Sequence, residues 1–176
     1  MVRYRRNFVP GGSYFFTVTL ADRKSSALVD QIDILRSAFR QTQSKQPFAI
    51  DAIVILPDHL HAMFTLPTGD SDFPGRWRRI KGYFSTRLIV LGTAEKRRRN
   101  GDLALWQRRF WEHTIRDDDD FARHVDYIHL NPVKHGLVSR VRDWPLSSFQ
   151  RYVREDLLPE DWAGDVADDQ FDYGER

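Results

Sequence analysis

The chain lacks cysteine altogether in its 176 residues. That excludes a disulfide scaffold, a thiolate zinc site and a cysteine nucleophile. It also lacks any apolar run near the ~20 residues that cross a bilayer. Its first residues, MVRYRRNFVPGG, carry charge where a secretory leader would carry an apolar segment. The expectation is a cytoplasmic protein without membrane contact. It does not lack core material: 41% hydrophobic residues with 30% charged ones is globular composition, and the length suits one self-sufficient core.

Positive charge is scarce at one end only. Residues 155–176 hold nine acids and one base, a net charge of −8, so residues 1–154 carry +10. Two units are expected: a basic domain over 1–154 and an acidic tail over 155–176. The tail has little periodicity and contains Pro159, Gly164 and Gly174, so it reads as irregular. A basic body suggests a polyanionic partner, although a solvated enzyme surface has the same composition.

Hydrophobic period sorts the body into elements. Residues 13–20, 48–56, 59–66 and 105–115 read as strands, being β-branched and aromatic with turn residues between them. Residues 30–45, 76–91 and 118–130 read as amphipathic helices, the first with Asp30 as N-cap and the last stopped or kinked at Pro132 and Gly136. The Pro57-Asp58 turn makes the middle strands an antiparallel hairpin. The order β-α-β-β-α-β plus a helix is an α+β, ferredoxin-like, split βαβ arrangement with an antiparallel sheet. Two helices would cover one sheet face; the other needs a cover or serves binding.

Two constellations can carry chemistry. His59 and His61 are two apart on a strand, which puts both imidazoles on one face while Leu60, Ala62, Phe64 and Leu66 face the core. Paired imidazoles are a divalent-metal clip, although such a pair alone is more often unremarkable. On the last helix, Phe121, Val125 and Ile128 form the buried stripe. Tyr127 and Asn131 lie one turn apart beside it, with His124 on the same stripe and His129 turned away. The acids Asp117 to Asp120 read as cap and dipole partners, not as a metal cluster. The bases alternate with aromatics at Arg3, Arg5 and Arg6, at Arg76, Arg78, Arg79 and Lys81, and at Arg108 and Arg109. Cations neutralise phosphates and rings stack unpaired bases, so this mixture suits single-stranded nucleic acid.

VILPDHLHAMFTLP (54–67), WQRRFWEHTIRDDDDFARHVDYIHLNPVKHGLV (106–138) and DWPLSSFQRYV (143–153) resemble the REP-associated tyrosine transposases, single-tyrosine HUH endonucleases. YRRNFVPGGSYFFTVTL (4–20) resembles the start of the same family, so the resemblance covers about residues 4–153. It implies the HUH version of the ferredoxin-like fold, with Tyr127 as nucleophile on a helix across the open sheet face. It implies His59, His61 and Asn131 as metal ligands, Mn²⁺ or Mg²⁺ being the ions expected. The substrate it implies is single-stranded or hairpin DNA at palindromic repeats, cut through a 5′-phosphotyrosine intermediate. Such a protein would sit at the nucleoid through its DNA and is expected to be a monomer. Lys134, within the family-like helix, joins those arginines and Lys81 as an expected DNA contact. His124 is a proton acceptor by helical position only, and water is the alternative. Competing functions are a non-catalytic hairpin-DNA binder on the same fold and a metal-dependent phosphoesterase using water. The acidic tail, with Trp162, Phe171 and Tyr173, is expected to compete with DNA for the basic groove.

Overall fold

The structure is a computed structural model that describes residues 6–93 and 105–162. Strand β1 (Ser13–Thr19) leads through a short helix α1 (Ala27–Asp30) into α2 (Ile32–Lys45). The hairpin β2 (Ala49–Ile55) and β3 (His59–Thr65) follows, then α3 (Phe73–Val90), β4 (Trp111–Thr114), α4 (Asp118–Lys134) and α5 (Phe149–Arg154). The sheet order is β2-β3-β1-β4 with every neighbouring pair antiparallel, the split βαβ arrangement expected from the sequence. Among the described residues no helix is long and apolar enough to cross a membrane.

Strict alternation on β1 and β3 builds two cores. Tyr14, Phe16, Val18, Leu60, Ala62 and Phe64 face α2 and α3, where Phe64 stacks on Trp77 with ring centres 4.9 Å apart. Phe15 and Met63 face the other way and meet Val125, Tyr127 and Ile128 of α4. This second core is smaller and contains the histidines.

Several boundaries differ from the sequence reading. Helix α3 begins at Phe73 because Asp72 caps it, accepting from the Gly75 N–H at 2.8 Å, and Pro74 fits the first turn, where no N–H is needed. Asp30 is not the cap of α2; it ends α1, and Gln31 precedes α2. The last strand is shorter than expected, with only an isolated bridge between Leu20 and Trp106 before it. Helix α4 runs through Pro132 for one more turn and closes at Gly136, whose φ of +67° supplies the left-handed residue after the cap.

The edge strand β2 is covered by the segment leading into α5. Ser148 N–H donates to Ile53 O at 2.8 Å and Ile53 N–H donates to Ser148 Oγ at 2.9 Å. Tyr152 O–H donates to Asp51 O at 3.0 Å, beside the bulge between Ile50 and Ala52. This hides the pairing groups an edge would otherwise offer. Helix α5 ends at Arg154; most of residues 155–176, the expected tail, lies outside the described residues, as do Arg3 and Arg5.

Candidate functional site

His59 and His61 lie on the sheet face that α4 covers, with ring centres 5.0 Å apart and planes at 83°. Both are buried. Strand period two puts them there, and the Pro57-Asp58 turn supplies their first support. Asp58 Oδ2 sits 3.0 Å from Arg23 Nε, and Asp58 Oδ1 accepts from His59 Nδ1–H at 2.8 Å. A carboxylate only accepts, so His59 is fixed with its proton on Nδ1 and its lone pair on Nε2. That Nε2 is buried and has no hydrogen-bond partner. Thr17 Oγ1 and His61 Nδ1 share a hydrogen bond of 2.9 Å, which orients the second ring in the same sense. Carboxylate or hydroxyl behind one ring nitrogen and a lone pair on the other is the arrangement of metal-bound imidazole.

Burial, then the neighbouring His61, pushes His59 down to about 4 against the pull of Asp58. Burial drives His61 well below the ordinary histidine range as well. Both rings are therefore neutral near pH 7, the form that binds a metal.

Tyr127 comes to this pair from α4, its ring 5.2 Å from His61 and 5.9 Å from Phe15. Asn131 follows one turn later and is fully buried. Lys134 Nζ lies 4.8 Å from the centre of the Tyr127 ring. The expected nucleophile, the two histidines and the lysine thus meet in one place, with Asn131 on the same helix stripe. The donor set, two imidazoles and an amide with one buried imidazole nitrogen unpartnered, fits a divalent ion.

His135 was not anticipated. It caps α4, its N–H donating to Asn131 O at 3.0 Å, and its ring is 5.0 Å from that of His59. The spacing i, i+4 from Asn131 was the available signal. Asp58, read only as a turn residue, is the other omission.

The acids before α4 divide. Asp117 caps the helix by accepting from Asp120 N–H at 2.8 Å, as expected. Asp120 instead is buried, accepting from His113 Nε2 at 2.8 Å and from Arg116 N–H at 3.0 Å. Its backbone carbonyl accepts from His124 Nδ1–H at 2.7 Å. His113, Asp120 and His124 bring ligand atoms within 4.8 Å of one another, close enough for a metal. Their existing bonds, and the Arg116 guanidinium 3.2 Å from Asp120, describe a satisfied network that orients His124. His129 points away from Tyr127, as expected, with Nε2 3.0 Å from Ser148 Oγ.

The cationic residues are placed differently from one another, and Arg76 needs correction. Arg76 is not a DNA contact: it is fully buried, paired with Asp70 at 2.7 Å and donating to Pro47 O at 2.6 Å. Its periodic position on α3 faces inward, where a guanidinium needs several acceptors. Arg6 pairs with buried Glu112 at 3.3 Å and lies over Phe110 at 4.6 Å, on the sheet face opposite the histidines. Arg78 and Arg79 are exposed on α3, in the layer opposite the site. Lys81 is held down to about 8 by burial and donates to Gln107 O at 2.9 Å. Arg108 and Arg109 are exposed just before β4. Among the described residues, Lys134 is the expected DNA contact that the fold brings to Tyr127.

No family model matches the chain. It is 48% identical over its full length to the REP-associated tyrosine transposase of Escherichia coli K12, covering 98% of that protein. It is 48% identical, over 93% of its own length and 94% of the relative's, to a putative REP-associated tyrosine transposase of Haemophilus influenzae. Among solved structures, a REP-associated tyrosine transposase bound to a REP hairpin superposes with a TM-score of 0.87 at 48% identity, over 100% of this chain and 98% of that one.

Proposed function

The chain belongs to the REP-associated tyrosine transposases, HUH-type DNA-nicking enzymes that imply a divalent metal, and from that premise we propose that Tyr127 cuts and rejoins single-stranded DNA beside palindromic hairpins. The observation that carries the reading is the meeting of Tyr127 with the His59–His61 pair, the rings of Tyr127 and His61 being 5.2 Å apart. The hairpin substrate comes from the relative solved with a REP hairpin.

In this reading His59, His61 and the Asn131 amide oxygen would hold a Mn²⁺ or Mg²⁺ ion. Bound there, the ion supplies Lewis-acid neutralisation of the scissile phosphate. Tyr127 Oη attacks phosphorus and the bond to the 3′ oxygen breaks. The 3′ oxygen leaves as a hydroxyl, taking up the proton that the Tyr127 phenol releases through its acceptor, and the 5′ phosphate stays on the tyrosine as a diester. Reversal by a 3′-OH rejoins a strand without another energy source, because the ester conserves the bond. Lys134 places positive charge against the ring that becomes a phenolate, and the same charge attracts the DNA backbone. The phenol proton goes to His124 or to water; the His124 Nδ1–H is tied to Asp120 O, so Nε2 is its accepting nitrogen. One chain supplies every one of these groups, which supports a monomer as the working unit.

The test is a labelled hairpin oligonucleotide with single-stranded flanks, incubated with and without Mn²⁺ and resolved on a denaturing gel, with mass spectrometry of the protein. A nucleotide adduct on the Tyr127 peptide, absent from Tyr127→Phe, is the expected result. Cleavage without an adduct and unaffected by Tyr127→Phe would mean hydrolysis by water. A band shift with no cleavage would mean a binding protein.

A further inference from the structure

The sequence offered many rings as stacking surfaces, and the fold separates them. Trp77 and Trp106 are buried in the first core and Phe110 packs against it, all on the α2–α3 side. Trp111 is on the other side. Its register opposite Thr17, and that of His113 opposite Phe15, places both rings on the face that carries His61, because Thr17 also pairs with His61. Among the described residues strand β4 is the outer strand of the sheet, while α4 packs over β2 and β3 at the far side. Trp111 and His113 are accordingly only half-buried.

The rings are also aligned. Trp111 and His113 are parallel within 7° at 6.0 Å, and His113 and His124 within 14° at 4.7 Å. The ladder is held in plane by the bond from His113 to Asp120. Phe15 touches both Trp111, at 5.7 Å, and Tyr127, at 5.9 Å, so one side chain separates the outer ring from the nucleophile. Arg116 and Arg123, with side chains 61% and 47% exposed, flank the ladder and offer charge for phosphates.

We propose that Trp111, backed by His113, forms a stacking platform for an unpaired base of the strand that Tyr127 cuts. The inference rests on the proposed function and adds the specific contact that holds the single-stranded flank. A half-buried indole at the end of a parallel ring ladder can meet the face of an unpaired base; a base inside a duplex has no such face to offer. Stacking of this kind tolerates any base, so Trp111 contributes affinity for the single strand, not sequence readout.

The test uses the full chain and hairpin DNA with and without a single-stranded flank, 2-aminopurine being placed in turn at each flank position. At one position the wild-type complex should quench 2-aminopurine by stacking. Trp111→Leu keeps apolar contact with Phe15 but has no ring. It should bind flanked hairpin about tenfold more weakly, within the ~5- to 150-fold range of one lost stack. Its affinity for unflanked hairpin and its salt slope should be unchanged, since no phosphate contact is lost. Trp111→Phe should recover most of the loss. Equal losses for flanked and unflanked DNA, or flanked binding within twofold of wild type, would overturn the inference alone. So would the absence of quenching at every flank position of the wild-type complex, which needs no variant to fold. No hairpin binding by the wild-type chain would overturn the proposed function, and the inference with it.

Discussion

Acid should loosen the helix that carries Tyr127, and His129 is the reason. His129 Nε2 meets Ser148 Oγ at 3.0 Å, and that oxygen already accepts from Ile53 N–H at 2.9 Å. Ser148 Oγ thus sits between His129 Nε2 and Ile53 N–H, and the other ring nitrogen, His129 Nδ1, is buried with no hydrogen-bond partner. Protonating the ring would bury a charge whose Nδ1–H has no acceptor. Burial, then the Arg151 charge, pushes His129 down to about 3 from its ordinary 6.5. The unfolded chain thus takes up a proton below 6.5 that the folded chain refuses until about 3. Stability is full above 6.5 and falls as pH drops through that window. At pH 5 the folded ring is still neutral while the unfolded one is almost wholly charged, so the cost relative to pH 7 is about 2 kcal/mol from this residue.

The contact joins α4 to the α5 corner on β2, so the loss falls on the docking of α4 itself. The assay is chemical denaturation of wild type and His129→Phe at pH 7 and pH 5. Wild type should lose more stability on acidification, by about 2 kcal/mol, the other buried histidines contributing equally to both. For a domain of this size that difference is roughly 4–8 °C in Tm. Equal acid losses in the two proteins, or a His129 resonance titrating near 6.5 in the folded state, would refute the argument.

Three further outcomes are expected. His59→Ala should weaken Mn²⁺ binding by calorimetry, and Asp58→Asn should weaken it by about 10- to 100-fold while leaving both imidazoles in place; Asn131→Ala should cost less, since water can replace an amide oxygen. Arg76→Ala should destabilise by about 3 kcal/mol in urea melts, because Asp70 and the Pro47 carbonyl lose a buried partner, yet the salt slope of DNA binding should stay as in wild type. Lys134→Gln should slow adduct formation in single-turnover experiments and flatten the salt slope by about one counterion.

The sheet topology and the histidine pair were legible because strands alternate and helices repeat, and neither period depends on long-range contacts. The positions of Tyr127 and Asn131 on one stripe followed from the same arithmetic. What was not legible depended on partners distant in sequence. Arg76 reads like its neighbours Arg78 and Arg79, and only the fold shows that its turn of α3 faces Asp70 and Pro47. Arg6 looked like part of a basic arm, but Glu112, 106 positions later, needed a countercharge. Asp120 sat in a run of acids that local rules assign to helix capping. Its burial depends on β4 bringing His113 alongside, which no local pattern encodes. Residues 30–45 held enough helix signal for one element, yet the chain forms two, because the turn beginning at Ser26 closes before Gln31.

The two cores divide stability from chemistry. A one-residue slip of β3 would exchange His59 and His61 for Leu60 and Ala62 and dismantle the site. The site itself cannot prevent that slip, since its polar rings gain little from being buried. The opposite face can: Leu60, Ala62 and Phe64 are locked among Phe16, Phe39 and Trp77, so a slip would put imidazoles into the larger apolar core. The face toward α4 is then at liberty to carry buried histidines, an asparagine and a tyrosine, each oriented by a neighbour such as Asp58, Thr17 or Asp120. Because strand period two places alternate residues on opposite faces, the residues that fix the register need share no contact with the residues that use it.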